Sequence, residues 1–247
     1  MNISSVTGFL LINKPIGISS FGCIKYLKRI LNQKIKIGHA GTLDPFASGL
    51  LIVAVSREAT RLIDRIMVMK KTYVATGKLG EITDTLDHTG TIVATQDQKV
   101  ISQEQIEKAL ISFGSSYEQV PPLYSALKHE GVPLYTLVRH NLMTEEKLQE
   151  LVIKKRRVVQ LYDLQLLSYE YPYFTIKACV SHGTYIRTLI NDIALRVGSC
   201  ATTYQLVREA IGPFNLSQAT DLSAFKTIDD INQAIILDPS GLFSDFG

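Results

Sequence analysis

The chain has 247 residues, 46% hydrophobic and 20% charged, with a formal net charge of +3. Such values suit a globular protein of one large or two small domains, and the mild charge permits a nucleic-acid partner without demanding one. Three widely spaced cysteines, Cys23, Cys179 and Cys200, exclude a disulfide framework and form no metal-ligand spacing, which points to a reducing cytoplasm.

No secretory leader pattern opens the sequence, and no apolar run reaches membrane-spanning length. A cytoplasmic protein without membrane contact is the expectation. Phe9 to Asn13 reads as a short apolar strand ending in the turn Lys14-Pro15-Ile16-Gly17. Ser19 and Ser20 offer an N-cap for a helix with Ile24, Leu27 and Leu31 on one stripe. Its other face carries Lys25, Lys28 and Arg29, followed by Lys34 and Lys36; this basic surface is either a solvated face or one that meets phosphates.

The helix leads into Lys36 to Val55, KIGHAGTLDPFASGLLIVAV, the stretch around which the chain is organised. Leu50 to Val55, a continuous apolar run, reads as a strand buried on both faces. Ahead of it, three glycines let a loop be shaped closely around another body. Asp44 is the single carboxylate of that loop. It reads either as an N-cap with Pro45 at the first helical position, or as the lone acid or nucleophile of a pocket; a capped turn would also hold the carboxylate still.

Ala59 to Ile66 is predicted as a short helix and Lys70 to Lys78 as a strand containing Tyr73. The segment GEITDTLDHTG, Gly80 to Gly90, holds Glu81, Asp84, Asp87 and His88, but its spacing fits neither a calcium loop nor a zinc site, so a polar loop with self-bonded side chains is expected and no metal. Ser102 and Gln105 form a capping box for a helix that Gly114 ends. Val120 to Met143 loses periodicity and mixes aromatic and basic residues, which suits either an adaptable RNA-facing surface or an ordinary exposed excursion. Lys154 to Arg157 is a run of four cations at a strand entry.

Val158 to Glu170 and Tyr173 to Val180 should pair as an antiparallel hairpin across Pro172. A helix capped by Thr184 follows, with Ile186, Leu189, Ile190, Ile193 and Val197 inward and Gly198 at its end. Arg187, in its first turn, opposes the helix dipole by a few tenths of a kcal/mol, roughly, so an anion is expected nearby, with Asp44 one candidate. Thr202 to Val207 is a further strand, broken by Gly212-Pro213, and a helix-like stretch and tail occupy Asp221 to Gly247. Mixed elements without strict βαβ alternation, and without an internal repeat or linker, indicate a single α+β domain over 1–247.

Several separated blocks together resemble one family, the bacterial tRNA pseudouridine synthase B (TruB) type. They are Asn13 to Gly17 with Ser19-Ser20, GHAGTLDPFASGLL from Gly38 to Leu51, Lys71-Thr72-Tyr73, TDTLDHTG from Thr83 to Gly90, YSALKHEG from Tyr124 to Gly131, GTYIRTL from Gly183 to Leu189, and Leu206 with Arg208, Gly212 and Phe214. The resemblance implies a pseudouridine synthase fold, with a mixed, mostly antiparallel central sheet flanked by helices and loops. It also implies isomerisation of the T-arm loop uridine of tRNA, position 55, without cofactor; a monomer is the expectation. By motif match Asp44 would be the nucleophile and Arg187 its partner. Tyr73 would stack on the uracil, Tyr185 and Leu206 would complete the pocket, and His39 would contact RNA beside the flipped base. Lys14 and Pro15 would support the site, and Leu123 to Met143 would form a thumb-like insertion over the RNA loop. Val207 stands where the family usually has an arginine, and the additional C-terminal RNA-binding domain that many relatives carry is not expected here.

That chemistry breaks a carbon–nitrogen glycosidic bond, turns the base and rejoins it through carbon, with a carboxylate attacking C1′ or C6 to hold the fragments. The uridine has to be extruded, at a cost of a few kcal/mol, roughly, which stacking on tyrosines offsets. Two rival readings are an RNA-folding factor and a glycosidase, the latter requiring a second acid such as Asp84 or Asp87.

Overall fold

The computed structural model describes residues 6–31, 35–96 and 100–236. The readings made for Lys34 and for the tail beyond residue 236 lie outside the described residues. In chain order, β1 (Gly8–Lys14) is buried at every position except Asn13. Helix α1 (Ser20–Leu31) buries Cys23, Ile24, Leu27 and Leu31. Its cap is Ser19, whose Oγ accepts from the Gly22 N–H at 3.0 Å. Then come β2 (Ile37–His39) and β3 (Ser48–Val55).

The single helix expected over Ala59 to Ile66 is two short ones, α2 (Arg57–Thr60) and α3 (Ile63–Met67). Ser56 starts the first earlier than predicted by accepting from the Ala59 N–H at 3.3 Å. The break comes where the Leu62 N–H turns back to Ala59 O at 3.0 Å. Strand β4 (Lys71–Leu79) follows, then the small ladder of β5 (Glu81–Thr83) and β6 (Ile92–Thr95). Helix α4 (Gln103–Ile111) starts on the predicted capping box.

Beyond β7 (Ser116–Gln119), the weakly periodic stretch is ordered: β8 (Lys128–His129) pairs with β9 (Val132–Pro133), and α5 (Leu134–Arg139) follows. The next helix, α6 (Glu145–Lys154), had no counterpart in the sequence reading. It completes a local core in which Leu134, Leu137, Leu148 and Val152 are buried against Leu123, Leu127 and Met143. The predicted hairpin is β10 (Arg157–Glu170) with β11 (Tyr173–Val180). After it come α7 (Ile186–Arg196), β12 (Ala201–Ile211), β13 (Phe214–Asn215), β14 (Thr220–Asp221) and α8 (Ile228–Ala234).

These elements cluster into two compact units, Met1–Tyr73 with Leu206–Gly247, and Val74–Gln205. In the first, strands lie in the order β14-β1-β3-β12, with β2 also on β3 and β13 on β12. Strands β1 and β3 are antiparallel from Gly8↔Val55 to Lys14↔Gly49, while β3 meets β12 in parallel. Alternation sends Leu10, Ile12, Leu51, Val53 and Val55 to the face covered by α1, and Phe9, Leu11, Leu50, Ile52 and Ala54 to the face covered by Ala59 and Ile66. Both faces of β3 are therefore covered, as its uninterrupted apolar run requires.

In the second unit the order is β12-β4-β11-β10-β7, with β10 antiparallel to both β11 and β7. Helices α4 and α7 pack together, and Phe174, Ile176, Leu189, Ile190 and Ile193 are fully buried. Mostly antiparallel strands with helices on their faces make an α+β architecture, as expected. Among the described residues no helix is long and apolar enough to cross a membrane, and no cluster of histidine, cysteine and acidic residues could hold a metal ion.

Candidate active site

Within the first unit, Asp44 sits on the loop between β2 and β3. Pro45 does not open a helix: the Ala47 N–H bonds back to Asp44 O at 3.1 Å, closing a four-residue turn with Asp44 first and Pro45 second. This corrects the N-cap reading. A helix is blocked because the chain must enter β3 at Ser48, leaving room for one turn only.

The turn is fastened from three directions. Ser20, 2% exposed at the start of α1, donates its hydroxyl to Leu43 O at 3.0 Å and accepts from the Leu43 N–H at 2.8 Å. The Gly17 N–H bonds to Pro45 O at 2.7 Å. From β12, the fully buried Arg208 guanidinium donates to Leu50 O at 2.8 Å, Gly41 O at 3.2 Å and Thr42 O at 3.3 Å. Gly49, at φ 108°, lets β3 approach Arg208, since a Cβ there would stand 2.4 Å from Arg208 O.

Two buried lysines join this arginine. Lys14 Nζ donates to Pro15 O at 2.9 Å and Ile18 O at 2.8 Å, which fixes the segment leading into α1. Burial lowers its pKa to about 8, partly offset by Cys23 and by the Asp44 carboxylate. Lys71 Nζ donates to Met67 O at 2.6 Å and Met69 O at 2.7 Å, and burial with the nearby Arg208 lowers its pKa to about 8 as well. Arg208 Nη1 and Lys71 Cε both border the space a Gly41 side chain would need, at 3.8 and 3.9 Å.

Strand alternation places Tyr73 on the same face of β4 as Lys71, and Leu206 on the same face of β12 as Arg208. Both are buried, at 8% and 6% exposure. His39, at the end of β2, is half-buried, and burial followed by the Arg208 charge lowers its pKa and keeps the ring neutral. Val207 is half-buried and pairs with Ser48, so the position where the family pattern has arginine carries a strand contact here. Four of the predicted site residues, His39, Asp44, Tyr73 and Leu206, thus belong to the first unit.

Tyr185 and Arg187 belong to the second. Tyr185 is the N-cap residue of α7 and makes no side-chain cap; Thr184, predicted to cap, instead donates its hydroxyl to Ser181 O at 2.9 Å. Arg187 is 4% exposed. It donates to Thr85 O and, at 2.8 Å, to Tyr124 O. Its Nη1 lies 3.7 Å from Asp87 Oδ2, so the anion expected near this cation includes Asp87, which the sequence reading had placed in a self-bonded loop.

That loop is self-bonded too. Asp87 Oδ1 accepts from the Thr89 N–H at 3.0 Å and Thr83 donates to Asp87 O at 2.7 Å, while Asp84 Oδ1 accepts from the Thr91 N–H at 2.8 Å. The carboxylates a glycosidase reading would draw on are therefore committed to shaping the loop and to Arg187. Missed by the sequence reading were Arg208, matched without a role, Lys71 as a carbonyl donor, and Asp87 as an ion-pair partner. Cations at positions that strand alternation buries would have revealed the first two.

Comparison with known proteins places these features in one family. A family description, the N-terminal domain of TruB family pseudouridylate synthases, matches residues 28–186. The chain is 40% identical over 216 residues to tRNA pseudouridine synthase B of Dehalococcoides mccartyi strain CBDB1, covering 87% of this chain and 69% of that one. It is 39% identical over 231 residues to tRNA pseudouridine synthase B of Bordetella avium, covering 93% and 91% respectively. A chain of a solved Cbf5–Nop10–Gar1 complex superposes with a TM-score of 0.69 at 26% identity over 94% of this chain, which spans 60% of that chain's length. The chain belongs to the TruB family of pseudouridylate synthases.

Proposed function

We propose that this protein is a tRNA pseudouridine synthase that isomerises the T-arm loop uridine at position 55, acting as a cytoplasmic monomer and, over its two units, as one catalytic domain. The observation that carries this reading is the Asp44 turn: the sole carboxylate of the GHAGTLDPFASGLL block sits on a backbone fixed by Ser20, Gly17 and Arg208. A nucleophile held that firmly spends little of its attack barrier on reorganisation.

The reaction conserves atoms. The N1–C1′ bond breaks, the base turns, the C5–C1′ bond forms, and the proton lost from C5 is balanced by one gained at N1. Asp44 attacks and retains the fragment. Tyr73 and Tyr185 stack on the extruded uracil, Leu206 closes the apolar wall, and neutral His39 contacts the RNA beside it. Arg187, immobilised by Asp87 and two carbonyls, is assigned as the cation that keeps Asp44 charged. The basic face of α1 (Lys25, Lys28, Arg29) and the 123–143 thumb meet the phosphates.

Asp44→Asn tests the reading: the variant is expected to bind tRNA as wild type does and to form no pseudouridine in a carbodiimide primer-extension assay. Substantial product would remove Asp44 from the role. Arg187→Met is expected to cut turnover far more than tRNA affinity, and equal losses in both would contradict its assignment.

A further inference from the structure

Strands β7 and β10 set Gln119 directly opposite Arg157, and side chains of directly opposed residues share a face. Both reach Tyr185. Gln119, 1% exposed, grips its backbone twice: Oε1 accepts from the Tyr185 N–H at 2.8 Å and Nε2 donates to Tyr185 O at 3.0 Å. The second Nε2 hydrogen goes to Tyr117 Oη. This fixes the amide orientation, because only the oxygen can accept from a backbone N–H. Tyr117 in turn bonds to Asp192 of α7, and burial pushes the Tyr117 phenol well up, so that it stays a donor. Arg157 lies over the Tyr185 ring at 5.1 Å and also donates to Gly183 O.

From this geometry we infer that the Gln119–Arg157 rung is a positioning device for Tyr185, one residue gripping its backbone and the other its ring, so that the tyrosine meets an extruded uracil already oriented. Neither residue touches the reacting atoms. The inference rests on the reading of Tyr185 as a uracil contact. Its logic is preorganisation: a displacement of about 1 Å in a group beside the reacting base costs on the order of a hundredfold in rate. Substrate binding spread over a whole RNA surface changes little by comparison.

A double-mutant cycle tests it on the full chain, with single-turnover pseudouridine formation and tRNA dissociation constants measured for wild type, Gln119→Leu, Arg157→Met, Tyr185→Ala and the doubles with Tyr185→Ala. Gln119→Leu is expected to slow the single turnover by about 10- to 100-fold, and Arg157→Met by several-fold, with tRNA affinity within about twofold of wild type. On the Tyr185→Ala background neither change should slow the reaction further. Equal slowing on both backgrounds, or parallel loss of rate and affinity, overturns the inference. Should Gln119→Leu fail to fold, Arg157→Met, which alters a half-exposed side chain, carries the same cycle. A second readout is independent of activity. The chain contains no tryptophan, so Tyr185→Trp supplies a single indole that can be excited apart from the tyrosines, and its emission should shift to the red and its acrylamide quenching should rise when Gln119→Leu is added. Unchanged emission and quenching contradict positioning, whereas absence of pseudouridine with wild type refutes the functional reading instead.

Discussion

Arg187 and Asp87 face each other at 3.7 Å with side chains only 5% and 7% exposed, one at the start of a helix and the other in the loop between two short strands. The pair ties the TDTLDHTG block to the GTYIRTL block inside one unit. A cation in the first turn of a helix is disfavoured by the dipole, and desolvation adds to that cost, so the carboxylate and the Thr85 and Tyr124 carbonyls help to make the position tenable.

Asp87→Asn should therefore destabilise the fold, by up to ~3–5 kcal/mol, because it takes a carboxylate away from a buried guanidinium. Urea unfolding measures this directly. Adding Arg187→Met to Asp87→Asn should recover part of the loss, since two neutral side chains carry no unpaired charge; a double variant less stable than Asp87→Asn alone would show that the pair is not the source of the effect.

Ser20→Ala removes both bonds that hold Leu43, the residue before Asp44, and leaves a buried N–H and C=O without their hydroxyl partner. Stranded groups of this kind cost ~1–3 kcal/mol. Because the released segment carries the proposed nucleophile, turnover should fall by at least as much as stability suggests while tRNA affinity holds. A variant with lower melting temperature and full turnover would show that the turn keeps its shape without Ser20.

Much of this was legible from residues in order. The continuous apolar run of β3, the Ser102–Gln105 box and the hairpin across Pro172 each have a local cause, and each formed as expected. Helix α6 escaped notice because its buried pair, Leu148 and Val152, lies among eight helix neighbours of which six are charged or polar, and its core partners come from the preceding stretch. The Asp44 turn shows the limit of local rules. Asp-Pro suits both a helix start and a turn, and the choice was made by the strand that begins at Ser48, a tertiary fact. Arg208 was visible as a letter in a motif, but its three carbonyl partners lie about 160 residues away in sequence, beyond any periodicity argument.

The contribution of Lys14 and Lys71 to stability should rise with pH between about 8 and 10.5. Lys14 and Lys71 each have a folded pKa of about 8 against an ordinary 10.5, so between those values the unfolded chain holds more protons than the folded one. Below pH 8 both are charged in both states, and the cost of burying the charge is present in full. A neutral amine still has two hydrogens for its two carbonyls, so the bonds survive deprotonation. Denaturant unfolding at pH 7.5 and 9.5 measures the trend, with Lys71→Met as the reference that should show a weaker pH dependence. A fall in wild-type stability that Lys71→Met does not share would reverse the sign and contradict the burial argument.

Gly49→Ala probes a close backbone approach in the first unit. A methyl group there would lie 2.4 Å from Arg208 O and 2.7 Å from Arg208 N, both main-chain atoms of the neighbouring strand, at a φ of 108°. Neither atom can swing aside, so β12 has to move away, and Arg208 would carry its bonds to Gly41, Thr42 and Leu50 with it. Gly17→Ala is the matched control: φ is 87° there, yet nothing stands within 4 Å of the added carbon. Only backbone strain of ~1–2 kcal/mol is expected at Gly17, whereas Gly49→Ala should lose clearly more stability and most of its pseudouridine-forming activity. Equal unfolding midpoints for the two variants would mean that the β3–β12 contact tolerates a side chain, and that Arg208 does not depend on Gly49 to reach the loop.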